Sequence, residues 1–500
     1  MTETVTVQLS YGAVRGRSLG DHLSFRGIPY AAPPVGELRW SSPAAPKPWT
    51  GAFDATEPGN PAPQPAQFPG DVTRVDEDCL NLEVTVPVAP GTTARPVLVW
   101  LHGGGGTNGS GAEFDARRLA VSGDIIVVKP NYRLGVLGCF GHPGLAGSGT
   151  FGLQDQQSAL RWVRDEIGRF GGDPQNVTLA GMSYGALTVA GHLVSPSSVG
   201  LFHRAILQSG FGVIGSTPAH TFIPGVPELP QRWIPVAELD ELGAATALEH
   251  GWVRPGGDPA SALEQLRQVP VADLLPASGA FIRPAFGGTV LPESPGTALA
   301  ADRFHRMPMM LGTARDEARF FVSLFADLAG NPVTADGYRH MLSEAFGADA
   351  DRIATRYPLD HFPTPSLAWA QISTDRAWAQ PVWELGRAFA AATATWFYEF
   401  NDPEAPPTVP GFPAGSVHGA ELRYQFDVEG GVPLSASQRD LAESMNRYWA
   451  AFVRNGDPAQ EDLPAWPDFG TGHVQSLSPQ EIKGVDYAGD HRLDLWTEVG

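Results

Sequence analysis

Cysteine is nearly absent. Cys79 and Cys139 are the only two in 500 residues, so at most one disulfide can form and a disulfide-stapled scaffold is excluded. No C-x-x-C pair suggests structural zinc. Lysine is scarce as well, with Lys47, Lys129 and Lys483 alone among 34 basic residues. The 54 acidic residues outweigh those bases and leave a net charge of −20, which repels nucleic acid and anionic membranes and favours solubility. The longest charge-free apolar run lies near residues 388–398 and is too short to span a bilayer. The opening residues MTETVTVQLS have neither a basic start nor a continuous apolar core, so no secretory signal is expected. These absences point to a soluble, cytoplasmic protein with no nucleic-acid or membrane partner, and they leave its oligomeric state open.

What is present fills a large core: 42% of the residues are hydrophobic and 10% aromatic, which excludes disorder for the bulk of the chain. Residues 96–101 and 125–128 are short aliphatic runs that read as buried strands. A helix is expected over 155–170, with Leu160, Val163, Ile167 and Phe170 on one face and Gly171-Gly172 stopping it. Strands follow at 176–180 and 205–208, and another at 309–312. This alternation predicts an α/β fold with a central, mostly parallel sheet flanked by helices. Between 211 and 295 the periodicity weakens and Pro and Gly rise, and 318–415 reads as mainly helical. Loops are expected around 58–69 and 403–413. A last amphipathic helix carries Leu441, Met445, Tyr448, Trp449 and Phe452, with Gly456 just past its end. No repeat or linker divides the chain, so one domain over 1–500, with insertions at 211–295 and 318–415, is expected.

Gly181-Met182-Ser183-Tyr184-Gly185 fits G-x-S-x-G between a strand and a helix, the context in which that motif presents a nucleophilic serine. His102-Gly103-Gly104-Gly105-Gly106 follows an apolar strand, and its amides could point at an oxyanion without a Cβ in the way. No Gly-Lys-Ser/Thr or strand-G-x-G-x-x-G-helix spacing accompanies it, so nucleotide binding is disfavoured. In this arrangement the acid comes after the serine and the base after the acid. The strand at 309–312 therefore points to Asp316 or Glu317, with His340, His361, His418, His473 and His491 downstream. His418 stands out because a Gly/Pro loop precedes it and Gly-Ala-Glu-Leu follows it.

Several ordered blocks carry a resemblance that runs nearly end to end. They include Phe25-Arg26-Gly27-Ile28-Pro29-Tyr30-Ala31, Glu77-Asp78-Cys79-Leu80-Asn81-Leu82, Asn131-Tyr132-Arg133-Leu134-Gly135, Gly152-Leu153-Gln154-Asp155-Gln156 and Gly456-Asp457-Pro458. The chain resembles the type-B carboxylesterase family, which includes cholinesterases and bacterial p-nitrobenzyl esterases. The resemblance implies an α/β-hydrolase fold with Ser183 as nucleophile, Glu317 as acid and His418 as base. It implies an oxyanion hole from Gly104, Gly105 and the Tyr184 amide, and it leaves Asp316 a neighbour. Ser209 matches a serine that supports the triad by a hydrogen bond, and Phe320 and Phe321 match aromatic positions near the substrate. Arg39 with Glu77, and Arg133 with Asp155, match buried structural pairs. No cofactor or metal is implied.

The chain also departs from that pattern. Met182 stands where the family has Glu and Tyr184 where it has Ala, so the pocket near them is expected to lose a carboxylate and to narrow on one wall. Gly106 replaces a common aromatic and is expected to open the opposite side. Ala318 replaces a glycine. Cys79 matches a half-cystine whose partner region, Ala62-Pro63-Gln64, holds no cysteine, so no disulfide is expected. The function this predicts is a serine esterase for uncharged, fairly hydrophobic small-molecule esters. The alternatives are an acyltransferase, lactonase or carbamate hydrolase with the same triad, or a non-catalytic ligand-binding relative.

Overall fold

The protein is described by a computed structural model covering residues 3–66, 73–88, 94–214, 232–407, 412, 414–428 and 431–499. Its main sheet begins with β1 (Glu3–Leu9), β2 (Gly12–Ser18), β3 (His22–Pro29), β4 (Ala52–Asp54) and β5 (Asn81–Pro87). It continues with β6 (Arg95–Leu101), β7 (Ile126–Pro130), β8 (Gly172–Met182) and β9 (Arg204–Gln208). The last members are β10 (Met309–Ala314), β11 (Thr395–Phe400), β12 (Val474–Leu477) and β13 (Lys483–Val485). The order is β1-β2-β3-β5-β7-β6-β8-β9-β10-β11-β12-β13, with β4 beside β2. From β7 through β12 every neighbour is parallel.

Parallel strands survive only where both faces are covered. In β6, Val97, Val99 and Leu101 enter one apolar core while Leu98 and Trp100 enter a second, the alternation of a strand buried on both sides. The helices Phe151–Glu166 and Tyr184–Val194 cover the first face through Leu160, Val163, Leu187 and Leu193. The helix Ala436–Asn455 covers the second through Leu441, Met445, Trp449 and Phe452. Each such side chain contributes about 1.5–3 kcal/mol on burial, so packing rather than propensity holds the helices in place. The helix Ala436–Asn455 starts at a Ser435–Gln438 capping box and stops at Gly456, whose φ is 75°; contrary to expectation it is not the last, because Leu493–Val499 forms a further helix.

Two expectations change. The helix expected over 155–170 begins earlier, at Phe151, and tightens into a 3-10 turn over Ile167–Phe170. The stretch 318–415 is helical over much of its length but also contains β11, which pairs with β10 along six residues. Its sequence, Thr-Trp-Phe-Tyr-Glu-Phe, is rich in aromatics that suit a pleated, buried surface. Residues 215–231 of the expected first insertion, and parts of the 58–69 and 403–413 loops, lie outside the described residues.

Buried ion pairs fix the loops that leave the sheet. Arg39 pairs with Glu77 and Arg133 with Asp155. Removing one partner of such a pair costs about 3–5 kcal/mol, because the other charge is left buried alone. Cys79 and Cys139 are both free and buried. No helix among the described residues is long and apolar enough to cross a membrane. No group of three or more His, Cys, Asp or Glu among them could hold a metal ion. The C-terminal ends of β6, β8, β9, β10 and β11 open on one edge of the sheet, the edge where open parallel sheets build their sites.

Candidate active site

Ser183 alone makes the turn from β8 into the helix Tyr184–Val194, at φ 56° and ψ −117°. Such a conformation costs a non-glycine residue about 1–3 kcal/mol and persists only where its surroundings enforce it. The flanking glycines serve close approach. A Cβ at Gly181 would stand 2.4 Å from the Gly185 carbonyl carbon, and one at Gly185 would stand 2.2 Å from the Leu101 oxygen. The helix start is thus pressed against the end of β6. The Ser183 N–H donates to the Gln208 carbonyl at 2.9 Å, which ties the turn to β9.

His418 Nε2 lies 2.8 Å from Ser183 Oγ, and its Nδ1 lies 2.5 Å from Glu317 Oε2. The other oxygen of Glu317 accepts from the Ala314 N–H at 2.8 Å. With Nδ1–H donating to the carboxylate, the Nε2 lone pair faces the serine. Asp316 is not in this line. Its backbone N–H donates to the Ser416 carbonyl at 2.9 Å, and burial raises its carboxyl pKa against the pull of Arg319 and Arg315. Among the other candidate histidines, His491 is locked between Asp375 and Glu399, and His473 contacts Gln475.

Gly104, Gly105 and Gly106 all have positive φ, at 100°, 64° and 83°, so only glycine follows this path without strain. Their loop runs beside the serine: a Cβ at Gly103 would come within 3.1 Å of Ser183 Cβ. The N–H groups of Gly104, Gly105 and Tyr184 donate to no other protein atom among the described residues. The Gly135 N–H donates to the Gly106 carbonyl at 2.7 Å, and Arg133, two residues earlier, holds Asp155 through two 2.7 Å contacts. His102, at the head of the glycine run, stacks on Tyr132 at 4.4 Å, and burial pushes its pKa down to about 4. It is a neutral prop at physiological pH.

The profile of the Carboxylesterase family matches residues 3–493. The chain belongs to the carboxylesterase family. It is 31% identical to the para-nitrobenzyl esterase of Bacillus subtilis, over 93% of this chain and 92% of that one. It is 33% identical to the fumonisin B1 esterase of Sphingopyxis macrogoltabida, over 95% of this chain and 86% of that one. Among solved structures, a PNB esterase superposes with a TM-score of 0.76 at 28% identity, covering 98% of this chain and 99% of the other. The protein is thus a carboxylic-ester hydrolase with the α/β-hydrolase fold.

Aromatic rings surround the imidazole of His418. Phe321 lies 5.0 Å from the imidazole and Trp378 5.8 Å, and these two stack at 5.3 Å. Phe320 stands 6.5 Å from it and stacks on Phe412. Met182 is buried. Its Cε reaches within 2.9 Å of where a Gly419 Cβ would be, so it packs beneath the His418 loop.

Tyr184 and Gly106 do not stand on opposite sides. A Cβ at Gly106 would meet the Tyr184 ring at 2.7 Å, so the tyrosine fills the volume the glycine vacates. The Tyr184 hydroxyl reaches Cys139 Sγ at 3.5 Å. The supporting hydrogen bond expected from Ser209 is absent. Its Oγ is buried without a partner among the described residues, and the residue acts through its backbone, its N–H donating to the Gly312 carbonyl at 2.8 Å.

Three residues escaped the sequence. Trp378 and Phe211 stack at 4.7 Å, yet come from distant segments with no motif around them. Glu421 is fully buried and neither carboxylate oxygen has a hydrogen-bond partner among the described residues. Burial and the charge of Glu317 push it up to about 7. Its place three residues after His418 was the one available signal.

Proposed function

We propose that Ser183, His418 and Glu317 act as the catalytic triad of this carboxylesterase and that Gly104, Gly105 and Tyr184 supply its oxyanion hole. His418 Nε2 takes the Ser183 proton as Oγ attacks the ester carbonyl. Glu317 holds the ring in the tautomer that can do so and stabilises the imidazolium that forms. The amides of Gly104, Gly105 and Tyr184 receive the developing oxyanion, each donor contributing about 3 kcal/mol in such sites. His418 then protonates the departing alcohol, which leaves an acyl-Ser183 ester. Water, deprotonated by the same nitrogen, releases the acid. The observation that carries this reading is the pair of hydrogen bonds on His418, one at each ring nitrogen.

The reacting end of the substrate is an uncharged, fairly hydrophobic ester, and Phe320, Phe321 and Trp378 around His418 support that choice. In this reading residues 1–500 are one domain, whose insertions at 211–295 and 318–415 contribute Phe211, Phe321 and Trp378. Two free, buried thiols support a cytoplasmic location.

The direct test is covalent labelling with an organophosphonate ester, read by intact mass and peptide mapping. One adduct per chain, on the peptide containing Ser183 and absent from Ser183→Ala, is expected. No adduct on folded wild-type protein would end the serine-esterase reading.

A further inference from the structure

Near the proposed triad lies a cation that the ester-hydrolysis mechanism does not use. The guanidinium of Arg232 lies over the Phe211 ring, 4.5 Å from its centroid. Phe211 packs on Trp378, which flanks His418. Arg232 also lies close enough to Tyr184, the residue following the nucleophile, for the two side chains to interact electrostatically.

Its position is built. The next residue, Trp233, is buried, donates to the Val213 carbonyl at 3.1 Å and packs over Gly191. Ile234 pairs with Ala285. The Arg232 stem crosses Gly212, where a Cβ would stand 2.6 Å from Arg232 Cγ. Glycine there, at φ 64°, is what lets the side chain through.

Arg232 differs from three other inward-facing arginines. Arg39, Arg133 and Arg315 each hold a carboxylate. Arg232 pairs with none among the described residues, in a chain with 54 acidic residues to choose from. Burial pushes its pKa down to about 10. The Tyr184 hydroxyl opposes that fall and a second cation, Arg283, adds to it. Arg283 itself meets Glu238 only at 3.9 Å. A part-buried guanidinium without a counter-ion among the described residues has lost hydration that the face of the Phe211 ring replaces only in part. A carboxylate entering beside it would regain that loss through a charge-assisted, bidentate pair.

We propose that Arg232 receives an anionic group on the substrate, so that the preferred esters are neutral at the reacting carbonyl and carry a carboxylate farther along. This rests on the serine-esterase reading and narrows its substrate class. It changes the expectation of a wholly uncharged ester: the aromatic wall serves the reacting end and Arg232 the distal end. The carboxylate can belong to the acyl half, as in a dicarboxylic hemiester, or to the alcohol half.

Two matched pairs of esters separate these cases. Mono-p-nitrophenyl glutarate is compared with its neutral methyl ester, and 4-carboxyphenyl butyrate with phenyl butyrate. The readout is the ratio of kcat/KM for charged over neutral ester, in wild type, Arg232→Gln and Arg232→Lys. In one pair the wild-type ratio is expected to be about tenfold or more, as one charge-assisted contact supplies. Arg232→Gln should bring it near one, and Arg232→Lys should restore part of it. A ratio near one for wild type in both pairs would overturn the proposal. So would an Arg232→Gln variant that loses charged and neutral esters alike, since that is the behaviour of a stacking residue that only supports Phe211. Wild-type protein inert toward all four esters would instead overturn the esterase reading.

Discussion

Tyr184 and Gly106 show how two unusual residues make one wall. The tyrosine follows Ser183, the proposed nucleophile, and its ring must go somewhere. It goes over Gly106, where even a methyl group would come within 2.7 Å of the ring. Gly106→Ala therefore adds a clash and a strained φ of 83°, together about 1–3 kcal/mol. In a Tyr184→Ala background the clash disappears and only the backbone strain remains. A double-mutant cycle on denaturant unfolding should give a coupling of about 1 kcal/mol or more. Strict additivity would mean that the ring and the glycine are independent. Neither departure from the family pattern could be interpreted correctly from sequence, because nothing in the order of residues says that positions 106 and 184 touch.

At the scale of elements, the strand β11 and the turn that carries Trp378 are joined through one buried histidine. His491 Nδ1 lies 2.6 Å from Asp375, which begins that turn, and Nε2 lies 2.8 Å from Glu399 in β11. Burial opposes a charge on the ring, but the two carboxylates outweigh it and raise its pKa to about 9. A folded-state pKa above the ordinary value of about 6.5 means that the folded protein holds this proton more tightly than the unfolded chain. The stabilisation, roughly 3 kcal/mol, is complete below about pH 6.5 and fades as pH rises toward and through 9. Imidazole NMR should show one ring titrating near 9 that vanishes in His491→Gln. The wild-type denaturation midpoint should fall between pH 6.5 and 9.5. Imidazoles that all titrate below 7 would remove this joint from the account. His491 was visible in the sequence only as one of five downstream histidines, because its two partners lie 116 and 92 residues away.

Across the whole molecule, the parallel sheet brings residues far apart in the chain to one edge. Ser183 and His418 are separated by 235 positions, and His418 and Glu317 by 101. The parts of this arrangement that sit on local patterns were legible: the aliphatic strands, the G-x-S-x-G turn, the glycine run after β6 and the capped helix Ala436–Asn455. Residues whose role comes from distant partners were not legible, and Phe211, Arg232, Trp378 and Glu421 are the clearest cases. β11 was hidden because its aromatic run follows directly on a helical one. The central claim is that Glu317, not the adjacent Asp316, orients His418 toward Ser183. The most direct measurement is kcat/KM on one p-nitrophenyl ester for Glu317→Gln and Asp316→Asn, each checked for a wild-type thermal transition. Glu317→Gln should fall by about 10²–10⁴ while Asp316→Asn stays within about threefold of wild type. A large fall in Asp316→Asn with Glu317→Gln left near wild type would contradict the account.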